Sequence, residues 1–170
     1  MDEAAIRGFV RSDYAKVVAA VAAVCGDRGQ AEDAVQEALA RAWDRGRRGL
    51  IVDSLPAWTT TVAINVTRSA ARAAARRRRT EERSLQVSDD GPSAESIDVL
   101  RAVSSLPRRQ REAVIVRYFL GYDVPGTAAV LGVSEGTVKT LMFRARATLA
   151  ARLSDAVDQV DQEVHADATA

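Results

Sequence analysis

Few of the residues that most often build a chemical site are present. The 170 residues include one cysteine, Cys25, and one histidine, His165. A single thiol excludes an internal disulfide and any multi-thiolate metal site, and it suits a reducing compartment. Aromatic residues make up 5% of the chain, so a core must be built from aliphatic and alanine side chains. The four prolines leave long stretches free for helix. No run approaches the roughly 20 apolar residues that span a bilayer. The opening Met1-Asp2-Glu3 lacks the basic start of a secretory signal. A cytoplasmic protein with no cofactor, no metal and no membrane partner is expected.

What is abundant is alanine and straight-chain residues, within an apolar share of 47%. That mix favours helix nearly everywhere and predicts an all-α fold. The net charge of +1 conceals a segregation. Residues 1–40 hold four bases and seven acids, and residues 41–83 hold eleven bases and four acids. Residues 84–153 hold nine bases and seven acids, whereas 154–170 hold five acids and no base. A concentrated basic middle in a near-neutral chain acts through its local field, which attracts anionic partners.

The order of signals divides the chain. Ser12 is expected to cap a helix that Gly26 stops after Cys25. A second helix is predicted from Gln30 to Arg45, with Ala31, Ala34, Val35, Ala38, Leu39, Ala42 and Trp43 at amphipathic spacing. Gly46 and Gly49 bracket a loop to Ser54, and Ser54 with Pro56 starts a long helix to Arg79. Turn residues without apolar period, Val87 to Ser93, mark a linker. Helices then follow over Glu95–Ser104, Pro107–Leu120, Val124–Leu131 and Glu135–Leu153. This gives a first domain over 1–84, a flexible linker over 85–94, a second domain over 95–153 and a fraying acidic tail over 154–170.

The segment from Asp123 to Arg146 reads as a helix-turn-helix. Gly132 supplies a positive φ, Val133 plugs the joint and Ser134 caps the next helix. Val138, Met142, Ala145 and Leu149 form its buried stripe. Glu135, Thr137, Lys139, Thr140, Phe143, Arg144 and Arg146 are left facing outward. Hydroxyls and a lysine at an exposed helix start suit base edges in a major groove, and the later arginines suit phosphates. An ordinary helical hairpin with a solvated face is the plainer alternative.

In the first half, Arg68, Arg72, Arg76 and Arg79 step by four, four and three, with Arg77 and Arg78 broadening the end. Like charges at this spacing repel one another, and a phosphate backbone relieves the repulsion. Asn65, in an otherwise small and apolar stretch, reads equally as a base-binding amide or as a satisfied helix-face amide. Glu32, Asp33, Gln36, Glu37 and Arg41 make a polar ridge that suits a basic partner helix or simply faces water. Trp43 and Trp58 are expected to be core anchors, and Cys25 a small buried hydrophobe.

Leu106-Pro107-Arg108-Arg109-Gln110-Arg111-Glu112, then Leu131-Gly132-Val133-Ser134-Glu135-Gly136-Thr137-Val138-Lys139 and Arg144-Ala145-Arg146, resemble the fourth domain of extracytoplasmic-function (ECF) sigma factors. Ala31 to Glu37 with Arg41-Ala42-Trp43, and Ala57-Trp58 with Val62 to Asn65 and the arginine run, resemble their second domain. The resemblance implies a protein that binds core RNA polymerase, recognises two promoter elements and assists melting. It implies that Glu32, Asp33, Gln36, Glu37 and Arg41 face the β′ clamp, and that Asn65, Arg68, Arg72, Arg76 and Arg79 meet the minus-ten element. By the same resemblance Ser134, Glu135, Thr137, Lys139, Thr140, Phe143, Arg144 and Arg146 read the minus-thirty-five element. An anti-sigma protein is a candidate further partner.

The sequence departs from the family pattern at three places. Pro125-Gly126 removes the expected capping box, and Leu141 and Phe143 stand where arginine and histidine are frequent. A stand-alone helix-turn-helix regulator would explain the second half alone. An enzyme would need more than Glu32, Asp33 and Glu37, which have neither a nearby histidine nor a phosphate loop.

Overall fold

The structure is a computed structural model that describes residues 3–80 and 101–167, with side chains described to residue 77 and from 101 to 151. Helix α1 spans Glu3–Ser12, α2 Tyr14–Cys25, α3 Arg28–Arg47 and α4 Leu55–Thr80. Residues 101–104 are helical. Helix α5 covers Arg108–Val114 and runs into a π-helical turn at Ile115–Phe119. Helix α6 spans Val124–Leu131 and α7 Glu135–Asp167. The fold is all-α, with no strand among the described residues.

Helix α2 is the post on which both halves lean. Its Val17, Val18, Val21 and Val24 are all buried, and each fully buried valine is worth roughly 1.5–3 kcal/mol. It packs on α3 and α4 in its own half, and on α5 and the π-helical turn in the other. Ala20, Val24 and Ile115 form one shared cluster. A larger core also joins the halves, taking Val18, Val35 and Ile64 from the first and Val116, Leu131 and Val138 from the second.

Local chemistry sets the helix ends. Gly26 takes φ 82° and donates its N–H to Ala22 O at 2.7 Å, as expected of a left-handed stop. Asp27 then caps α3, accepting from the Gln30 N–H at 2.8 Å. Ser54 Oγ accepts from the Ala57 N–H at the start of α4. Asp123 caps α6 by accepting from the Gly126 N–H at 2.7 Å. A Cβ at Gly126 would lie 2.8 Å from that carboxylate. Pro125-Gly126 therefore does not leave α6 uncapped, because its cap comes from the residue before the helix.

Three expectations are corrected. Ser12 does not cap α2. It ends a separate helix, and its hydroxyl donates back to Gly8 O, the i−4 bond that serines make inside helices. Trp43 is 39% exposed and is not a core anchor, because Ala42 takes the buried position and the next residue turns about 100° away. Trp58 does pack on the core. The backbone of α7 runs on to Asp167 instead of ending near Leu153, since no glycine or proline follows and Val157, Val160 and Val164 continue a helical period. The linker over 85–94 and the helix start at Glu95 lie outside the described residues, as do the side chains of Arg78, Arg79 and the acidic tail.

Candidate nucleic-acid interface

The second half builds α7 as a capped and exposed α-helix. Gly132, at φ 66°, closes α6. Ser134 Oγ then accepts from the Thr137 N–H at 3.2 Å and shares a 2.9 Å hydrogen bond with the Thr137 hydroxyl. Val138 and Ala145 are fully buried and Met142 nearly so, which locks the rotation of α7. That rotation leaves Ser134, Glu135, Thr137, Lys139, Thr140, Phe143, Arg144 and Arg146 exposed. Phe143 stands 74% exposed among these polar groups. Arg146 donates to the Tyr118 hydroxyl at 2.9 Å, which steadies one guanidinium beside an exposed ring.

In the first half, α3 turns Asp33, Gln36, Glu37 and Arg41 outward, with Glu32 partly covered. Two i,i+4 pairs, Arg28–Glu32 and Arg41–Glu37, run along it. Such exposed pairs contribute only about 0.3–0.5 kcal/mol, so the ridge is cheap to rearrange against a partner. Trp43 lies one turn beyond Leu39 and adds an apolar spot to this surface.

The arginine stripe of α4 is not uniform. Arg72, Arg76 and Arg77 are exposed. Arg68 is turned inward, with its side chain 12% exposed, and forms a two-pronged pair with Glu112 of α5 at 2.7 and 3.0 Å. Its remaining nitrogen donates to Asn65 Oδ1 at 3.0 Å and to Leu131 O at 3.4 Å. Glu112 itself is fully buried and is also met by Arg108 and Arg109 of its own helix. Arg108 in turn reaches Thr67 Oγ1 at 3.0 Å. Burial alone would raise the Glu112 carboxyl, but the hydrogen bonds and charge of Arg68, followed by Arg108 and Arg109, hold it below its ordinary value. Arg68 and Asn65 share a cleft of about 510 Å³ with Arg72, Arg108, Arg109 and Glu112. Glu112 was visible in the sequence only as the end of the Leu106–Glu112 motif, and its partner lies 44 residues away.

A second hollow, of about 500 Å³, opens between Ala5 and the loop residues Gly49, Leu50, Ile51 and Val52. Ile51 is 82% exposed. Cys25 is half-buried and donates to Asp27 O at 3.1 Å, and burial raises its thiol pKa, which disfavours a reactive thiolate. No cluster of metal-ligating side chains exists among the described residues, and no described helix is long and apolar enough to cross a membrane.

A capped, exposed helix in one half and an arginine-faced helix in the other are a pairing that suits a DNA-binding protein. The family model for sigma-70 region 2 matches residues 9–77, and that for sigma-70 region 4 matches residues 96–149. The chain is 35% identical over 136 residues to the ECF RNA polymerase sigma factor EcfG of Rhodopseudomonas palustris, covering 75% of this chain and 74% of that one. It is 37% identical over 123 residues to the ECF sigma factor SigM of Mycobacterium tuberculosis, covering 71% of this chain and 62% of the relative. The sigma factor RpoE of Bartonella quintana, solved with the anti-sigma factor NepR, superposes with a TM-score of 0.72 at 27% identity, covering 83% of this chain and 91% of that one. CnrH, solved with the cytosolic domain of CnrY, has the same fold at a TM-score of 0.61 and 24% identity, over 87% of each chain. The chain belongs to the extracytoplasmic-function RNA polymerase sigma factors.

Proposed function

We propose that this sigma factor acts in the cytoplasm, without catalysis of its own, by joining core RNA polymerase to a two-part promoter. The outer ridge of α3, with Glu32, Asp33, Gln36, Glu37 and Arg41, docks on the β′ clamp. Asn65 and the arginines of α4 (Arg68, Arg72, Arg76 and Arg79) meet the minus-ten element, and the face of α7 from Ser134 to Arg146 reads the minus-thirty-five element. The observation that carries the reading is that all eight candidate side chains, on α7 and its cap Ser134, are exposed on a helix fixed by that cap and its buried stripe.

Separation of the elements explains the need for polymerase. By their names the two elements lie about 25 base pairs apart, or roughly 85 Å along the duplex. A closed body of this size has a radius of gyration of about 15 Å and cannot touch both at once. Polymerase spaces the halves, and two weak contacts become one strong contact through effective concentration. The Bartonella quintana relative was solved with an anti-sigma factor, and a protein of that kind is a natural antagonist for this chain.

The test is co-elution of the purified chain with core polymerase at moderate ionic strength. Reversing two charges of the ridge, Asp33→Lys with Glu37→Lys, should abolish co-elution while helix content is retained. Unchanged co-elution would remove the α3 assignment. Tight sequence-specific binding by the free chain, unimproved by core, would instead favour a stand-alone regulator.

A further inference from the structure

The cleft of about 510 Å³ between α4 and α5 holds more positive charge than the fold uses. Four guanidiniums, those of Arg68, Arg72, Arg108 and Arg109, line it against the one carboxylate of Glu112. Arg68 is fully engaged by Glu112, Asn65 and Leu131 O. Arg108 divides between Glu112 and Thr67 Oγ1. Those two arginines already satisfy the buried carboxylate. Arg109 adds a single longer contact to it, at 3.3 Å, and can leave without stranding it. Arg72 meets no carboxylate among the described residues and donates to Ser69 Oγ at 3.4 Å. Both Arg72 and Arg109 are exposed, and they bring spare cations to one cleft from two different helices.

We propose that this cleft is a binding site for a small diphosphate ester, a nucleoside diphosphate, whose phosphates are clamped between Arg72 and Arg109. Guanidinium forks match phosphate oxygens in geometry and charge. Four cations against one anion leave three positive charges unmatched. A terminal phosphate carries about −1.5 to −2 at neutral pH and an inner one about −1, so two linked phosphates meet that excess and one does not. Glu112 does not oppose the ligand, because it is fully buried behind its own arginines. Ligand pockets of about 300–1,000 Å³ take small molecules, so the phosphates leave room for the rest of a nucleotide. Ala71 and Ala75 also line the cleft. They lie four residues apart, one above the other on α4, and form an apolar wall for a sugar or base. Asn65 Oδ1 accepts from Arg68, which orients the amide and leaves its Nδ2 to donate to a base acceptor. The site stands apart from the promoter reading of α4, because nucleotide binding is measured with no DNA present.

The experiment titrates the full chain with fluorescent adenosine and guanosine diphosphates, without magnesium, at about 0.15 M salt. Saturable binding of one nucleotide per chain is expected, with the corresponding monophosphates at least about tenfold weaker. Arg72→Gln and Arg109→Gln should each weaken binding about tenfold, as the loss of a charge-assisted hydrogen bond does. Ala75→Glu, which sets an acid on the wall, should remove it. Arg77→Gln alters an exposed cation of the same helix outside the cleft and should change binding by less than about twofold. All four positions are exposed, so each variant is expected to keep the circular dichroism of the wild type. Three outcomes overturn the proposal. The first is the absence of saturable binding by either nucleotide. The second is an equal loss in Arg77→Gln and Arg72→Gln, which marks diffuse attraction to a basic surface. The third is inorganic pyrophosphate binding as tightly as the nucleotides, which leaves the wall and Asn65 without a part.

Discussion

Helix α7 presents its hydroxyls and bases along an open face, whereas α4 folds Arg68 inward onto Glu112 and leaves Arg72 and Arg77 outside. Both helices carry cationic side chains at helical spacing, and both lie against a shared core. The difference is what covers them. Helix α7 packs chiefly on α5 and α6 of its own half, so its exposed face is decided by its own stripe. The arginine helix sits at the seam, where the neighbouring half supplies a buried carboxylate. A cation at a seam is engaged by the fold, whereas a cation on an open face is left available to a ligand.

The largest expected effect tests the open face. Reversing Lys139 and Arg144 together should lower promoter-directed transcription by about a hundredfold or more, since each lost phosphate contact weakens binding and each new acid repels. Circular dichroism should be unchanged, because both side chains are exposed. A transcript yield within twofold of wild type would break the contrast on the α7 side.

The seam predicts a split within α4 itself. Arg68→Ala should lower unfolding stability by about 2 kcal/mol, as expected when hydrogen bonds to a buried charge are lost while Arg108 and Arg109 still pair it. Arg72→Ala should stay within about 0.5 kcal/mol of wild type, as surface changes do. Urea denaturation of both variants checks this, and equal losses would make the two arginines alike.

Acid should probe the same pair. The Glu112 carboxyl sits below its ordinary 4.5 in the fold, so its contribution is fully present above that value and is lost as pH falls through the folded one. Stability of the wild type should therefore drop more steeply below pH 4.5 than that of Glu112→Gln. Parallel acid curves would show that the carboxylate is not held by its arginines. The smallest effect belongs to the caps: Ser134→Ala and Asp123→Ala should each cost about 1 kcal/mol in thermal unfolding.

Residues whose partners are near in sequence were legible, and those with distant partners were not. Gly26, Gly132, Ser134 and the stripe Val138–Met142–Ala145 act within one or two turns, so the stops, the cap and the outward face of α7 could be read directly. Helix α1 was not legible because its one buried side chain is Phe9, which gives no apolar period to follow. Trp43 was misplaced because stripe spacing tolerates either neighbour of the true buried position, Ala42. The inward turn of Arg68 was invisible: its partner lies on another helix in the other half, and nothing in an i,i+4 pattern distinguishes it from Arg72. The cap of α6 was overlooked for a different reason. Pro125-Gly126 fills the first helical turn, whereas the capping oxygen belongs to Asp123, just before it.

The account depends most on polymerase bringing these two surfaces to one promoter. Run-off transcription with purified core, the full chain and a library of promoter sequences tests this directly. The account predicts discrete transcripts from a subset of promoters sharing two spaced elements, and none from core alone. Transcripts of equal yield from every template, or none from any while core is fully active with another sigma factor, would contradict it.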